Sequence, residues 1–232
     1  MAAEHEGSGL ASSLTDLMTS LAVIFILLLV AMLNNQRHQA DDAKNLVLSK
    51  LTAALEKLIR DQGVEVKSDP TDPLVLLVIV PEDLLKFEQG KSDIPAAGYE
   101  FLRTFVPKFV PTACSTEIRQ GISSIVVEGH ASSEGQDSNN LSLSQQRSMA
   151  VINRSLAVLD SSNRPDAPED RKCFLSLISA TGRGSAERIY VNGKEDFRKS
   201  RRVVFKIRIK SLEERKEIVA QTGLRSLEQG SH

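Results

Sequence analysis

The sequence predicts an α+β protein: a single N-terminal transmembrane helix, a linker helix, and then a mixed sheet with helices on one face. Three observations carry this reading. Residues 17–36 run for twenty positions without a charge. Ala43 to Asp61 repeats leucine at alternating spacings of three and four. From Leu74 onward, short apolar runs alternate with segments of helical period, the pattern of a sheet interleaved with helices.

The first element follows from length. Twenty residues of helix reach roughly 30 Å, the thickness of a bilayer's hydrocarbon core. A cleaved signal peptide fits less well, because the leading MAAEHEGSG is acidic and no small-x-small site follows. Charge does not orient the span: Glu4 and Glu6 precede it, and Arg37, Asp41 and Asp42 follow. In the second element, Leu48, Leu51, Leu55 and Leu58 form a narrow seam of about two heptads, short for a free coiled coil. The seam pairs with a copy of itself, meets a membrane or partner surface, or packs on its own domain. Gly63 to Pro73, with two prolines, marks a boundary.

The third region reads strand 74–80, helix 94–110, strand 122–130, helix 141–159, strand 173–180 and strand 202–209. The last strand alternates Val203, Phe205, Ile207 and Ile209 with Val204, Lys206, Arg208 and Lys210, so one side faces water. A polar helix at about 212–221 follows, and the final LEQGSH is assigned no function.

Composition narrows function. The chain has 232 residues, enough for one domain and an appendage, and 41% hydrophobic with 25% charged is near the globular average. Lys and Arg number 29 against 30 acids, so no global charge draws the chain to a polyanion. Ten of the basic residues fall within 183–210 against three acids. Few aromatics accompany them, and solvent or an acidic wall polymer suits that stretch better than nucleic acid. The two cysteines, Cys114 and Cys173, lack the spacing of a metal site and leave two thiols or one disulfide. His130 near Ser132, Ser133 and Asp137 supplies the letters of a hydrolase triad without a nucleophile elbow. Gly182-Arg183-Gly184 lacks the setting of a phosphate loop and reads as a turn.

Asp16 stands two residues inside the apolar run that opens at Leu14. An ionised carboxylate costs at least ~2.5 to 3.5 kcal/mol at the bilayer centre and less near its edge, so this group has a partner, carries a proton, or sits at headgroup level where the helix dipole favours it. Thr15, Thr19 and Ser20 are near enough to hydrogen-bond, although such hydroxyls more often bond their own backbone.

Two segments carry a resemblance. LLKFEQGKSDIPAAGYEFL, VVEGHASSEGQDSNNLSLSQQRSMAV and GRGS with SRRVVFKI resemble the opening, central and closing signatures of the OmpA-like peptidoglycan-binding domain, over about 135 residues. TDLMTSLAVIFILLLVAML resembles the single span of MotB-type stator subunits, in which an aspartate is followed by a similar Met-Thr run. Within that class the resemblance is to the stators of Zorya anti-phage defence systems, with flagellar stators as near neighbours. The acidic head and the residue at 132 favour the defence branch.

The resemblance implies a βαβαββ domain at 74–210, preceded by a cytoplasmic head (1–13), the span (14–36) and a linker helix with its boundary loop (37–73), and followed by a C-terminal helix and tail (211–232). It implies an inner-membrane, peptidoglycan-anchored motor subunit with its domain in the periplasm and no enzyme activity, with a flagellar-type stator subunit or a passive tether to peptidoglycan as the alternatives. Asp16 would carry the translocated ion, a proton with sodium as the alternative, and no cofactor or metal is expected. The implied partners are a second copy, a MotA-like pentamer around the dimer, peptidoglycan and membrane lipids, with no nucleic acid. The family grips diaminopimelate with an aspartate and an arginine. The arginine corresponds to Arg147, supported by Asn140 and Leu143. Ser132 stands where the aspartate belongs, with Glu134 and Asp137 in the same loop. A guanidinium suits a carboxylate, although Arg147 is equally able to pair with its own loop. In the resembled fold the strands that begin near Ile122 and Cys173 run parallel, which implies a Cys114–Cys173 disulfide at one sheet edge.

Overall fold

A computed structural model describes residues 6–211 and 214, and the side chains of all of these except 6–13 and 36–43. The chain divides into two compact units, Met1–Ala40 and Asp41–His232. The expected helix at 212–221 lies outside the described residues apart from Glu214.

The residues expected as a span and as a separate linker helix fall in one element, α1 (Glu6–Gln62). In the first unit, Leu14–Asn35 has a mean hydropathy of 2.5 and no buried residue, so it is long and apolar enough to cross a membrane. A helix is the form that satisfies every backbone group of such a segment internally.

The second unit begins with the rest of α1. Val47, Leu51, Leu55 and Leu58 are each at most 1% exposed and belong to the same apolar core as the sheet. The leucine seam is therefore covered by its own domain. Next come β1 (Glu65–Ser68), β2 (Val75–Pro81), α2 (Glu82–Leu85), α3 (Ala96–Cys114), α4 (Thr116–Arg119) and β3 (Ile122–His130). The chain continues through α5 (Asp137–Asp160), α6 (Ala167–Leu177), β4 (Ile178–Gly182), a small hairpin β5 (Tyr190–Val191) and β6 (Lys194–Glu195), α7 (Phe197–Ser200) and β7 (Arg202–Ile209).

The main sheet has the order β1-β2-β7-β3-β4, with β3 and β4 parallel and the other neighbours antiparallel. Leu76, Val78 and Val80 of β2, Ile125 and Val127 of β3, and Val203, Phe205, Ile207 and Ile209 of β7 all point into the core. Phe101, Phe105 and Phe109 repeat at one helical turn on α3, and the latter two pack on Phe205 with centroids 5.3 and 5.1 Å away. The opposite face carries charge: Lys206 pairs with Glu128 at 2.9 Å and Arg208 with Asp72 at 2.9 Å. Pro111 cannot donate to the carbonyl of Pro107 one turn back, and Arg164 Nη1 does so instead at 3.2 Å.

Three segments differ from the sequence reading. The stretch 173–180 is mostly helix: Ala167, Asp170, Phe174 and Leu177 bury one face of α6, and only Ile178–Gly182 extends. The helical period was hidden because its first turns are polar. The boundary loop contains β1, whose four residues pair Glu65 with Ile79 through Ser68 with Leu76. The hairpin β5–β6 turns at Asn192 and Gly193, with φ of 52° and 77°, the left-handed pair that a two-residue hairpin requires. The disulfide Cys114–Cys173, Cα atoms 6.1 Å apart, accordingly joins the end of α3 to the middle of α6 and not two strand openings.

Candidate functional site

Asp16 is an exposed residue of α1. The Thr19 hydroxyl donates to the Asp16 backbone carbonyl at 2.9 Å, so it serves the helix backbone and not the carboxylate.

The other candidates converge in the second unit. Helix α5 lies so close to the sheet that a Cβ on Gly129 would stand 2.1 Å from the Ser144 carbonyl oxygen, and one on Gly182 would stand 2.5 Å from the Gln145 nitrogen. Only glycine permits that approach. It sets the first half of α5 over the loop that leaves β3. Asn140 then closes the loop, its Nδ2 donating to the carbonyls of Ser132 at 3.2 Å and Glu134 at 3.0 Å. Ser132, Asn140, Leu143 and Arg147 all line one cavity of about 810 Å³, together with α2, Phe197 of α7 and Arg201. Glu134 also lines it, whereas Asp137 accepts from Ser185 Oγ at 2.7 Å and is not among the lining residues.

Charge in the cavity is arranged as an alternating chain. Arg147, with its side chain 8% exposed, is ion-paired to Glu82 and donates from Nε to the Lys91 carbonyl at 3.0 Å and from Nη2 to the Glu88 carbonyl at 3.2 Å. Its guanidinium carbon lies 4.7 Å from the centre of the Phe87 ring. Burial pulls its pKa below the usual arginine value, and Glu82 opposes that shift. The other oxygen of Glu82 accepts from Arg201 Nε at 2.8 Å, and Arg201 Nη1 reaches Glu134 at 2.7 Å. Ser132 Oγ donates to that same Glu134 oxygen at 3.3 Å. Sequence reading did not find Glu82 or Arg201, because the two are distant from each other in the chain and their charges meet only in the fold. SRRVVFKI contained Arg201, but nothing in it separates that residue from Arg202.

Both ring nitrogens of His130 face carboxylates. Its ring is 1% exposed, with Nε2 3.6 Å from Glu128 and Nδ1 3.8 Å from Glu187. Burial pushes its pKa down, with Arg202 adding to that effect and the two glutamates opposing it. The three side chains are close enough to one another to hold a metal ion, but Lys206 on Glu128 and Arg183 and Arg202 on Glu187 already compensate both carboxylates. Four of the ten basic residues in 183–210 are likewise paired with acids from outside the stretch. Arg198 pairs with Asp83, Arg201 with Glu82 and Glu134, Lys206 with Glu128 and Arg208 with Asp72.

No protein-family model matches the chain. Two Escherichia coli proteins, each named Zorya protein ZorB, are similar to it. The one from strain E24377A (O139:H28) is 25% identical over 213 residues, covering 88% of this chain and 82% of the relative. The one from strain ATCC 8739 is 25% identical over 214 residues, covering 84% and 86%. Among solved structures, a MotB-like protein from Desulfovibrio vulgaris superposes with a TM-score of 0.51 at 19% identity, over 75% of this chain and 99% of that one. Along most of its length the chain is thus similar to ZorB, and its α+β fold is one it shares with a MotB-like protein.

Proposed function

We propose that this chain is the peptidoglycan-anchored stator subunit of an inner-membrane, ion-driven motor that acts in anti-phage defence. The observation that carries the reading is the joint one: similarity to ZorB spans most of the chain, and Asp16 is the only charged residue within the apolar stretch Leu14–Asn35. In this reading the N-terminus is cytoplasmic, the second unit is periplasmic, and two copies are enclosed by a MotA-like pentamer. Asp16 takes up a proton from the periplasmic side and releases it to the cytoplasm. Its change between neutral and charged forms is large in free energy within the bilayer, which is what lets one carboxylate drive movement of the surrounding subunits. The cavity under Asn140, Leu143 and Arg147 holds the peptidoglycan stem peptide and fixes the subunit against the torque.

Asp16→Asn tests the motor, because the amide keeps the shape and cannot cycle its charge. The expected outcome is loss of phage protection at unchanged membrane abundance and unchanged co-sedimentation with purified sacculi. Full protection by the Asn variant would reduce the chain to a passive tether. Failure of the wild-type protein to sediment with sacculi would remove the anchoring role.

A further inference from the structure

His130 is a buried titratable group for which the proposed motor has no use. Two backbone bonds, one on either side of it, carry the segment 183–189 across the end of β3. The Arg183 N–H donates to the Gly129 carbonyl at 2.9 Å, and the Ala131 N–H donates to the Gly184 carbonyl at 2.8 Å. Glu187 of that segment then lies 3.8 Å from Nδ1, while Glu128 lies 3.6 Å from Nε2. Neither nitrogen makes a hydrogen bond at those distances. A neutral ring has one N–H for two nitrogens, so one of them turns a lone pair toward a carboxylate. Both carboxylates are meanwhile held by other cations, Glu128 by Lys206 and Glu187 by Arg183 and Arg202. Behind the ring, Glu82 and Arg147 share with it the wall of a void too small for water, and they are paired with each other.

We infer that this cluster is a proton-operated latch: a proton taken from solvent by the His130 ring releases the segment 183–189 from β3. Charge counting gives the direction. Three cations, Lys206, Arg183 and Arg202, already face two carboxylates, and an imidazolium makes it four against two. The Glu82–Arg147 pair cancels and leaves that count unchanged. Burial already disfavours the charged ring while the site is closed, so the surplus is relieved by admitting water. The opening runs through the segment because Glu187 is the exposed carboxylate, 36% against 10% for Glu128, and its partner Arg183 is exposed as well. Exposed pairs separate at little cost. Glu128, His130, Arg202 and Lys206 stand instead on β3 and β7, which are paired along their length. The proton reaches the ring past the same Glu187. In the open state the ring and both carboxylates are hydrated, and the imidazolium is stable there. The released segment leads on to Phe197 and Arg201, so its opening slackens one wall of the cavity, whatever that cavity holds.

The test is amide hydrogen exchange on the full chain in detergent at about pH 7.5, 6.5 and 5.5, with each rate corrected for the intrinsic effect of pH. The amides of Arg183, Ala186 and Ile189, which donate to the Gly129 carbonyl, the Arg183 carbonyl and Ser200 Oγ, report on the segment. Their exchange is expected to rise about tenfold between pH 6.5 and 5.5, the increment for one proton bound in the open state and not in the closed one. The amides of β2 should keep their rates, and His130→Asn should abolish the rise. Glu187→Gln leaves three cations against one carboxylate and should open the segment already at pH 7.5. No rise in the wild type, an equal rise in β2, or a rise that persists in His130→Asn would overturn the latch. Should His130→Asn fail to fold, Glu187→Gln decides alone: exchange at pH 7.5 like that of the wild type refutes the latch.

Discussion

The two units of this chain handle charge in opposite ways. Across Leu14–Asn35 there is one charged side chain, Asp16, among residues chosen for apolarity. In the second unit, charges are abundant and joined end to end, as in the run Arg147–Glu82–Arg201–Glu134. A solitary carboxylate in an exposed apolar helix is held by no ion pair that the fold depends on. A carboxylate such as Glu82, 15% exposed and shared between two arginines, is bound into the architecture, and its loss exposes uncompensated charge. The contrast separates a charge that stands alone from charges that hold one another in place.

Substitutions can break that contrast, beginning with the most severe. Asp16→Asn is expected to abolish phage protection while leaving the urea midpoint of the second unit where it was; a shifted midpoint would mean that Asp16 is structural after all. Cys114→Ser should then cost most in stability. The bond closes a loop 59 residues long, worth about 4 kcal/mol by loop-closure entropy. Urea unfolding with and without reductant measures it, and reductant should have no effect on the variant. Arg147→Ala leaves Glu82 with one partner in a mostly buried site and should lower stability by about 3 kcal/mol. It should also weaken sacculus binding, through the cavity wall. A variant of unchanged stability would show the pair to be as dispensable as a surface one.

The smallest effect concerns pH. Burial holds the folded-state pKa of His130 below its ordinary 6.5, with Glu128, Glu187 and Arg202 facing the ring. The unfolded chain therefore binds this proton more readily than the folded one. Stability contributed by the neutral ring is complete above about pH 6.5 and is lost as pH falls below it, at no more than about 1.4 kcal/mol per unit. His130→Asn should flatten the dependence of the urea midpoint between pH 7 and pH 5.5. An unaltered slope would assign it to other groups.

Much of this molecule was legible from local pattern. β2, β3 and β7 announce themselves as runs of Val, Ile and Leu, and α3 and α5 by helical period, because each buries most of one face. β1 was not legible: Glu65–Ser68 is a charged edge strand with one paired side and no buried residue. α6 was read as strand because the polar residues 168–172 conceal the spacing of its buried positions. The hairpin β5–β6 carried a signal in Asn192-Gly193 that its two-residue strands were too short to support. The site divides along the same line. Ser132, Asn140, Leu143 and Arg147 lie within one loop and helix, so their spacing places them together. Glu82 and Arg201 come from elements 119 residues apart, and only the folded sheet decides that their charges meet.

The sheet order also governs when the domain can exist at all. β7 is the last of the described strands, yet it sits between β2 and β3, pairing with seven residues of one and eight of the other. Until Arg202–Ile209 is available, β2 has only β1 beside it and β3 only β4, and Phe105 and Phe109 have no Phe205 to pack on. Assembly is thus dominated by contacts between distant parts of the chain, a topology that folds slowly. A nascent or truncated chain ending before residue 202 holds two incomplete sheets with open edges.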